Sequence, residues 1–318
     1  MRAGGSVWTG AVALLTAVVA VSATLHAQGA GAEGPIVLQT RSGVREAGLN
    51  GAAVALVGDA GAVFNNPAGI ATIRHIGLEA AYFQAPFDAY QTVGAFAWRL
   101  GQFNFGAGVK YFDFGTEPEL VQDTGTGGVA GVPTGATVGA SEFLGVGSLI
   151  YRFGMIAFGG SAKLVRQRVA DITQKGVSAD FGLAVAFFDI MALGFSVQNI
   201  RGNWDGQSDL AMPRLTRAGF TMNYVDPQET FRLLSILEVQ WPEGRGTRLV
   251  VGLEGGVVVG GVGLIARSAY GSRPTGSDRS ALTYGLSLGL ARLSVDYAYD
   301  PTDLLGDASQ RIGVRLTL

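Results

Sequence analysis

The sequence predicts an all-β fold: a transmembrane, antiparallel, up-and-down β-barrel of about fourteen strands with a small N-terminal helical plug. Three observations predict this class of fold. The chain opens with an export signal, most of the remainder alternates apolar residues with small or polar ones, and the connections between alternating segments differ systematically in length. The composition agrees, because 48% hydrophobic and 15% charged residues exclude a disordered chain.

The first segment has the three parts of a secretory signal peptide. Arg2 supplies a positive charge, residues 10–23 are uncharged and apolar, and small residues follow. We expect cleavage after Ala27 or Ala23, and we assign residues 1–27 to a signal peptide that leads to the bacterial outer membrane. The alternative is a membrane-anchor helix, but a helix that spans a bilayer needs about 20 apolar residues, and this run is shorter.

Alternation with a period of two is the main evidence for strands. In residues 291–300, leucine, valine and tyrosine side chains fall on one face, and arginine, serine and aspartate fall on the other. Successive side chains of a strand point to opposite faces, so each such segment has one apolar face and one polar or small face. The same pattern predicts fourteen strands, at residues 76–84, 90–100, 102–113, 140–151, 154–167, 177–188, 191–199, 214–224, 231–241, 247–255, 259–270, 280–289, 291–299 and 309–318.

The predicted connections are short at one end of the strands and long at the other. Tight turns are expected near residues 100–101, 152–153, 189–190 and 289–291. Long, polar connections are expected near residues 114–139, 168–176, 200–213, 271–279 and 300–308. Short periplasmic turns opposite longer external loops are typical of an outer-membrane barrel. We therefore assign residues 76–318 to a barrel surrounded by outer-membrane lipids.

The less apolar face of the predicted strands indicates where the lumen lies. It consists mostly of Gly, Ser, Thr and Asn, with isolated charges that we expect to face the lumen: Glu79, Lys110, Lys163, Asp180, Glu254, Arg267 and Asp296. A soluble β-sandwich is the alternative, since its strands also alternate. A continuous apolar band on fourteen strands fits a barrel better, because in lipid a closed barrel satisfies every strand backbone group.

Residues 28–75, ahead of the first strand, are predicted to form a plug inside the barrel. The stretch 44–71 does not alternate, and it consists largely of Ala and Gly. Asn66 is suited to cap a short helix with Pro67 at the first helical position, where the missing N–H group costs nothing. A segment that lies on the periplasmic surface is the alternative.

This stretch carries a motif that resembles a known family. The motif residues are Gly48, Asn50, Gly51, Ala52, Val54, Ala55, Asp59, Asn66, Pro67, Ala68 and Gly69. Their order, followed by a β-rich chain, resembles the PorV/PorQ family of outer-membrane proteins, and it is similar to the wider FadL-like group of fourteen-stranded barrels with an N-terminal hatch. From the resemblance we take Gly48, Asn50, Gly51, Asp59 and the Asn66–Gly69 tetrapeptide as the plug motif.

The resemblance implies two functions. A PorV/PorQ-like protein would act in type IX protein secretion or in surface attachment, with secreted protein cargo or secretion-system components as partners. The alternative is a FadL-like channel for the uptake of hydrophobic small molecules such as long-chain fatty acids. The short chain favours the first, and residues 114–139 and 200–213 would then form the surface that binds the partner.

Composition argues against several other functions. The chain has no Cys and only two His, His26 and His75, so thiol nucleophiles and multi-histidine metal sites are excluded or nearly so. We therefore predict no enzyme activity, no catalytic residues, no bound metal and no cofactor. The formal net charge of −2 gives no indication of nucleic-acid binding.

Overall fold

The computed structural model describes residues 34–85, 88–122, 131–187, 190–205, 212–226, 228, 230–272, 281–301 and 309–318. The predicted signal peptide, residues 1–27, lies outside the described residues.

Fourteen antiparallel strands form a closed barrel in which each strand pairs with its sequence neighbours and β1 pairs with β14. The strands are β1 (Ile76–Gln84), β2 (Tyr90–Leu100), β3 (Phe103–Gln122), β4 (Gly131–Phe153), β5 (Ile156–Val169), β6 (Ile172–Phe187), β7 (Met191–Trp204), β8 (Leu215–Val225), β9 (Phe231–Pro242), β10 (Arg248–Val259), β11 (Val262–Gly271), β12 (Leu282–Leu290), β13 (Leu293–Asp300) and β14 (Ser309–Thr317). The predicted fold class is therefore confirmed.

Burial alternates along the strands as the sequence pattern requires. In β10, Val251 and Leu253 face outwards and are about half exposed, whereas Val250 and Gly252 face inwards and are buried. Outward-facing apolar side chains recur on every strand, so the barrel presents a continuous apolar band to its surroundings. Such a band is what a lipid bilayer requires of a transmembrane barrel.

Two predicted external loops are largely strand instead. Residues 114–139 were expected to be a loop, but β3 continues to Gln122 and β4 begins at Gly131, and the two remain paired beyond the apolar band. The predicted connection 168–176 is only a turn at Ala170 and Asp171. The physical reason is that hydrophobic alternation marks only those strand residues that separate lipid from lumen. Backbone pairing can continue into water without it.

The connections at the other end are short, as expected. The turns at Gly101, Gly154 and Gly260–Gly261 place glycine at positive φ values of 64, 58, 61 and 82°, a conformation that glycine adopts without steric cost. We refer to this end as periplasmic and to the opposite end as external, following the usual asymmetry of outer-membrane barrels.

The residues before β1 form four short helical segments. They are α1 (Ile36–Gln39), α2 (Val44–Gly48) and two 3₁₀ helices, Ala60–Phe64 and Pro67–Thr72. Within the described ranges, no helix has the length and apolar character needed to cross a bilayer.

Candidate functional site

Residues 34–73, which we call the plug, fill the inside of the barrel. At the external end, Gln39 accepts a hydrogen bond from Arg245 in the β9–β10 connection. At the periplasmic end, Ile73 packs against Gly77 at the start of β1. Between these points the plug contacts the inner face on all sides, and most of its side chains are buried. The lumen of the barrel is therefore occupied by the chain's own N-terminal segment.

The Asn66–Gly69 part of the plug motif forms a tight joint with the wall. The Asn66 side chain accepts a hydrogen bond from the Ala68 amide at 3.1 Å, and Pro67 opens the second 3₁₀ helix. The side-chain nitrogen of Asn66, Nδ2, also donates to the carbonyl oxygens of Val54 at 2.7 Å and Leu183 at 3.0 Å. One side chain thus caps the helix, braces the plug internally and fixes it to β6.

Gly48, Asn50 and Gly51 form a turn against the opposite wall. Asn50 and Gly51 have positive φ values of 56 and 83°, which asparagine and glycine tolerate best. The Asn50 side chain donates to the Ala281 carbonyl at 2.7 Å and accepts hydrogen bonds from Arg41 and Arg248. Gly48 lies so close to Arg267 that a Cβ atom would be 2.9 Å from its Cδ.

Asp59, the remaining motif residue, belongs to a network of charges between plug and wall. We call Arg45, Asp59, Glu254, Arg267, Asp296 and Arg315 the ion-pair cluster. Arg45 contacts Glu254 at 2.8 Å and Asp59 at 2.6 Å, and Arg315 contacts Asp59 at 2.9 Å and Asp296 at 2.8 Å. Arg267 approaches Glu254 at 3.2 Å and Asp296 at 3.4 Å. The cluster joins the plug to β10, β11, β13 and β14.

The charges of the cluster keep Asp59 ionised. Burial alone would raise the pKa of the Asp59 carboxyl, but the guanidinium groups of Arg45 and Arg315 outweigh it and hold that pKa well below its usual range. The pairs made by Asp59 are therefore expected to persist in mild acid, and to be lost only as the pH falls through this lowered pKa.

A second group of polar contacts between plug and wall lies beside the cluster. Glu238 on β9 accepts hydrogen bonds from the amides of Ala53 and Val54 at 2.7 and 2.8 Å. Arg217 on β8 pairs with Glu238 at 2.7 Å and donates to the Asn65 side chain at 2.7 Å and to the Gly51 carbonyl. Because the amides of Ala53 and Val54 both donate to the buried Glu238 carboxylate, the plug is fixed here without any regular secondary structure.

All seven predicted lumen-facing charges are buried on the inner face. Glu254, Arg267 and Asp296 belong to the ion-pair cluster, and Glu79 accepts a hydrogen bond from the Gly61 amide at 2.9 Å. Lys163 and Asp180 pair at 2.7 Å. Lys110 donates to the Thr40 carbonyl at 2.8 Å and lies 5.2 Å from the centre of the Phe64 ring.

Sequence reasoning missed Arg45, Arg217, Glu238 and Arg315 as contacts between plug and wall. Arg217 and Arg315 alternate with apolar residues in the sequence, so the pattern does place them on the polar faces of their strands. Their partners are far away in the chain, and local periodicity carries no information on them. Among the described residues, no group of three or more His, Asp or Glu side chains is placed to hold a metal ion.

One side of the lumen contains a long cluster of buried apolar residues, which alternates with buried polar residues such as Gln91, Asn104, Lys110, Glu142 and Ser148. We call the buried residues between plug and wall on this side the apolar seam: Val63, Phe64, Ile70, Ala71, Ile73, Phe83, Ala85, Ala89, Val93, Ala95, Ala97, Phe112, Leu144, Val146, Ile150, Ala157, Val165 and Ala184. It begins near the external end at Phe83 and Phe112, whose ring centres lie 6.5 Å apart. It ends near the periplasmic end at Ala97, Ile150 and Ala157, so it extends along nearly the full length of the lumen.

Solved structures with a similar fold include proteins described as toluene transporters and hydrocarbon channels. The toluene transporter TodX of Pseudomonas putida superposes with a TM-score of 0.56 at 10% identity, covering 87% of this chain and 99% of TodX. The Ralstonia pickettii toluene transporter TbuX gives a TM-score of 0.57 at 12% identity, covering 87% and 99%. A Pseudomonas aeruginosa FadL homologue gives 0.52 at 13% identity, covering 89% and 99%. At these identities the likeness establishes the fold, that of FadL-like outer-membrane barrels.

Sequence comparison places the chain in a family. No curated protein matches it. The model of the uncharacterised protein family UPF0164 matches residues 13–188, more than half of the 318 residues, from the predicted export signal to the end of β6. The chain belongs to this family, UPF0164, and folds as a FadL-like barrel.

Proposed function

We propose that this protein is an outer-membrane channel for small hydrophobic molecules. The observation that carries the proposal is the apolar seam, which connects the two ends of the lumen on one side of the plug. The sequence resemblance placed secretion or surface attachment first and a FadL-like channel second, and the proposal reverses this order. It does so because a cluster of apolar side chains that extends along the lumen offers favourable contacts to a solute that water dissolves poorly.

The energetics favour apolar solutes along this route. Transfer of apolar surface out of water gains roughly 25 cal/mol per Å², so a molecule of the size of toluene would be stabilised between Phe112, Leu144 and Val146. A sugar or an amino acid would lose its hydrogen bonds to water along the same route, where charged groups such as Lys110 and Glu142 are already bound to the plug. Selectivity would therefore follow from the lining itself.

The structural neighbours support this class of cargo. TodX and TbuX are described as toluene transporters, and CymD as a monoaromatic hydrocarbon channel. They share the fourteen-stranded fold with this chain at low identity. We infer from them the general class of cargo, small hydrophobic molecules, and no particular compound.

We further propose roles for the two predicted groups of site residues. The plug motif holds the plug closed, because Asn50, Asp59 and Asn66 each join it to the wall. Among the lumen-facing charges, Glu79, Glu254 and Lys110 hold plug segments directly, and the others orient their neighbours. The plug and the barrel would then be two functional parts of one chain, residues 28–75 and 76–318.

Flux of a hydrophobic solute should fall when the external end of the seam is made polar. We expect Phe112→Gln to slow toluene uptake into proteoliposomes about tenfold, because loss of roughly 1.4 kcal/mol of apolar stabilisation is a factor of ten. The control is Phe103→Gln, which changes the same residue type on the same strand, but at a position that is exposed on the outer face near the periplasmic end. Equal slowing by both variants, or no uptake by the wild type, would contradict the proposal.

Surface attachment of a protein remains a second candidate, favoured by the extended β3–β4 ribbon. This ribbon exposes Leu120, Val121 and Val132 beyond the membrane band, at 60, 50 and 45%. Deletion of residues 120–135 is expected to reduce recovery of secreted protein cargo in pull-downs at least severalfold, with no change in heat-modifiable migration of the barrel. The double variant Leu120→Ser/Val121→Ser keeps the backbone of the ribbon and should have a smaller effect in the same direction. Unchanged recovery with both variants would rule out this surface.

A further inference from the structure

Basic side chains lie opposite each other on the outer surface of the barrel, near its external end. Arg166 on β5 and Lys175 on β6 are directly paired across the two strands, and both are exposed. The next outward-facing residues towards the membrane, Leu164 and Val177, are exposed as well. Arg168 follows Arg166 on the same face of β5. We call Arg166, Arg168 and Lys175 the basic patch.

The protein itself does not neutralise the charge of the basic patch. Like charges directly opposite on neighbouring antiparallel strands are destabilising, and that is the arrangement of Arg166 and Lys175. Within the described residues neither side chain makes an ion pair or a hydrogen bond, and Arg168 donates only to a backbone carbonyl of the adjoining turn, at 3.1 Å. Asp171 in this turn makes no described ion pair. Asp113, in the same row as Arg168, lies two strands away and accepts hydrogen bonds within its own strand.

The basic patch lies at the external edge of the apolar band. The outward-facing residues of β5 begin with Ile156 at the periplasmic end, and Arg166 follows ten residues further along the strand. With a rise of about 3.3 Å per residue and a strand tilt of about 40°, these residues span roughly 25 Å along the membrane normal, which is the height of the apolar band of such a barrel. The outward-facing residues in between are uncharged: Phe158, Gly160, Ala162 and Leu164. The patch is therefore at the level of the lipid headgroups of the outer leaflet.

Beneath the basic patch, the lipid-facing surface forms a shallow recess. Ala162 on β5 pairs with Gly147 on β4 and Ala179 on β6, and Gly147 pairs with Ala107 on β3. All four residues face outwards, and a Cβ atom at Gly147 would meet nothing within 4 Å. Larger exposed side chains border the recess: Phe105, Leu149, Leu164, Val177 and Phe181. Acyl chains have room to lie here, next to the membrane side of the positive charges.

From these observations we propose that the basic patch binds the phosphate group of an outer-leaflet lipid, whose acyl chains occupy the recess. A guanidinium group binds phosphate through two parallel hydrogen bonds, and a lysine adds a point charge. A phosphate between Arg166 and Lys175 replaces their mutual repulsion by two attractions. A soluble anion would gain only exposed contacts that water and salt screen, whereas a lipid is already concentrated at this level of the membrane. The inference concerns the outer surface of the barrel and does not depend on transport.

Binding of lipid A to the full-length barrel in detergent micelles, followed by native mass spectrometry, tests the proposal. We expect Arg166→Ser/Lys175→Ser to weaken lipid A binding at least tenfold. The control Arg214→Ser/Arg292→Ser also removes two positive charges, one beside Glu243 on the opposite wall and one in a periplasmic turn, and should stay within twofold of the wild type. Equal weakening by the two variants, or equally tight binding of lipid A stripped of its phosphates, would overturn the inference.

Thermal unfolding distinguishes lipid recognition from a structural role of the two side chains. Because Arg166 and Lys175 repel each other, we expect Arg166→Ser/Lys175→Ser in lipid-free detergent to unfold at the same temperature as the wild type or a higher one. Added lipid A should raise the unfolding temperature of the wild type more than that of the variant. A variant that unfolds at a lower temperature without lipid would show that the two side chains stabilise the barrel itself, and would overturn the inference.

The recess is tested separately from the charges. Ala162→Phe fills it with a side chain that a membrane tolerates, and Ala266→Phe is the matched control, because Ala266 is also a small, exposed residue on the outer face, but on β11. We expect Ala162→Phe to weaken lipid A binding at least fivefold and Ala266→Phe to leave it within twofold. An excess of inorganic phosphate should displace little of the bound lipid. Complete displacement by inorganic phosphate, or equal binding by the two phenylalanine variants, would reject a lipid as the occupant.

Discussion

Replacement of Arg45 by alanine is expected to loosen the plug more than any other single change in the ion-pair cluster. Arg45 contacts both Glu254 and Asp59, and its side chain is only 9% exposed. Breaking a buried ion pair by removing one partner costs about 3–5 kcal/mol, because a charge is left buried without its counter-ion. We expect a value near the lower limit, since Arg267 and Arg315 still lie beside the two carboxylates. Protease cleavage of residues 44–59 in the folded barrel should accelerate roughly 100-fold, the factor that about 2.7 kcal/mol represents.

Arg232→Ala is the matched control for this experiment. Arg232 also points at Glu254, but at 3.5 Å, and its side chain is 39% exposed. Pairs of this kind contribute about 0–1 kcal/mol because water and salt screen them. Cleavage of the plug should therefore change less than about fivefold. Comparable acceleration by the two variants would show that Arg45 does not anchor the plug.

The strands could be predicted from the sequence because a barrel wall separates two different environments. Along β1, β2 and β13, side chains face lipid and the plug in turn. This difference in environment produces the alternation of apolar and polar residues in the sequence. It disappears where β3 and β4 leave the membrane, and there the predicted loop was wrong. The sequence thus predicts strands correctly where they separate lipid from lumen, and it does not predict their continuation beyond the membrane.

The partners of the plug could not be predicted for a related reason. Arg45 appears in the sequence as a lone charge among Ala and Gly, and Glu254 as one of several charges on the polar faces of strands. They are 209 residues apart in the chain, and they meet only because the barrel closes around the plug. The sequence indicated that the motif around Asn66 was special, but the wall residues that the plug contacts depend on tertiary register. Local patterns do not record it.

A methyl group added at Gly194 is expected to expel part of the plug. This glycine lies on the inner face of β7, where an alanine Cβ would overlap with the carbonyl oxygen of Val54 and lie 2.5 Å from its carbonyl carbon and 2.8 Å from the Cα of Ala55. These are backbone atoms that cannot rotate away, and Glu238 holds the Val54 amide at 2.8 Å. Overpacking of this kind typically costs 1–3 kcal/mol and occasionally more, and we expect Gly194→Ala to cost about 3 kcal/mol in urea unfolding from lipid vesicles.

Gly147→Ala shows whether the effect comes from the plug or from the loss of a strand glycine. Gly147 lies on the outward face of β4, and a Cβ atom there would meet nothing within 4 Å. Since alanine is less flexible than glycine in the unfolded chain, this variant should be neutral or slightly stabilising, by less than about 1 kcal/mol. A second comparison separates packing from anchoring, because Gly194→Ala should expose residues 54–55 to protease while the seam residues around Ile70 stay protected. If both alanine variants unfold at the same urea concentration, the close approach of Val54 to the wall does not limit stability.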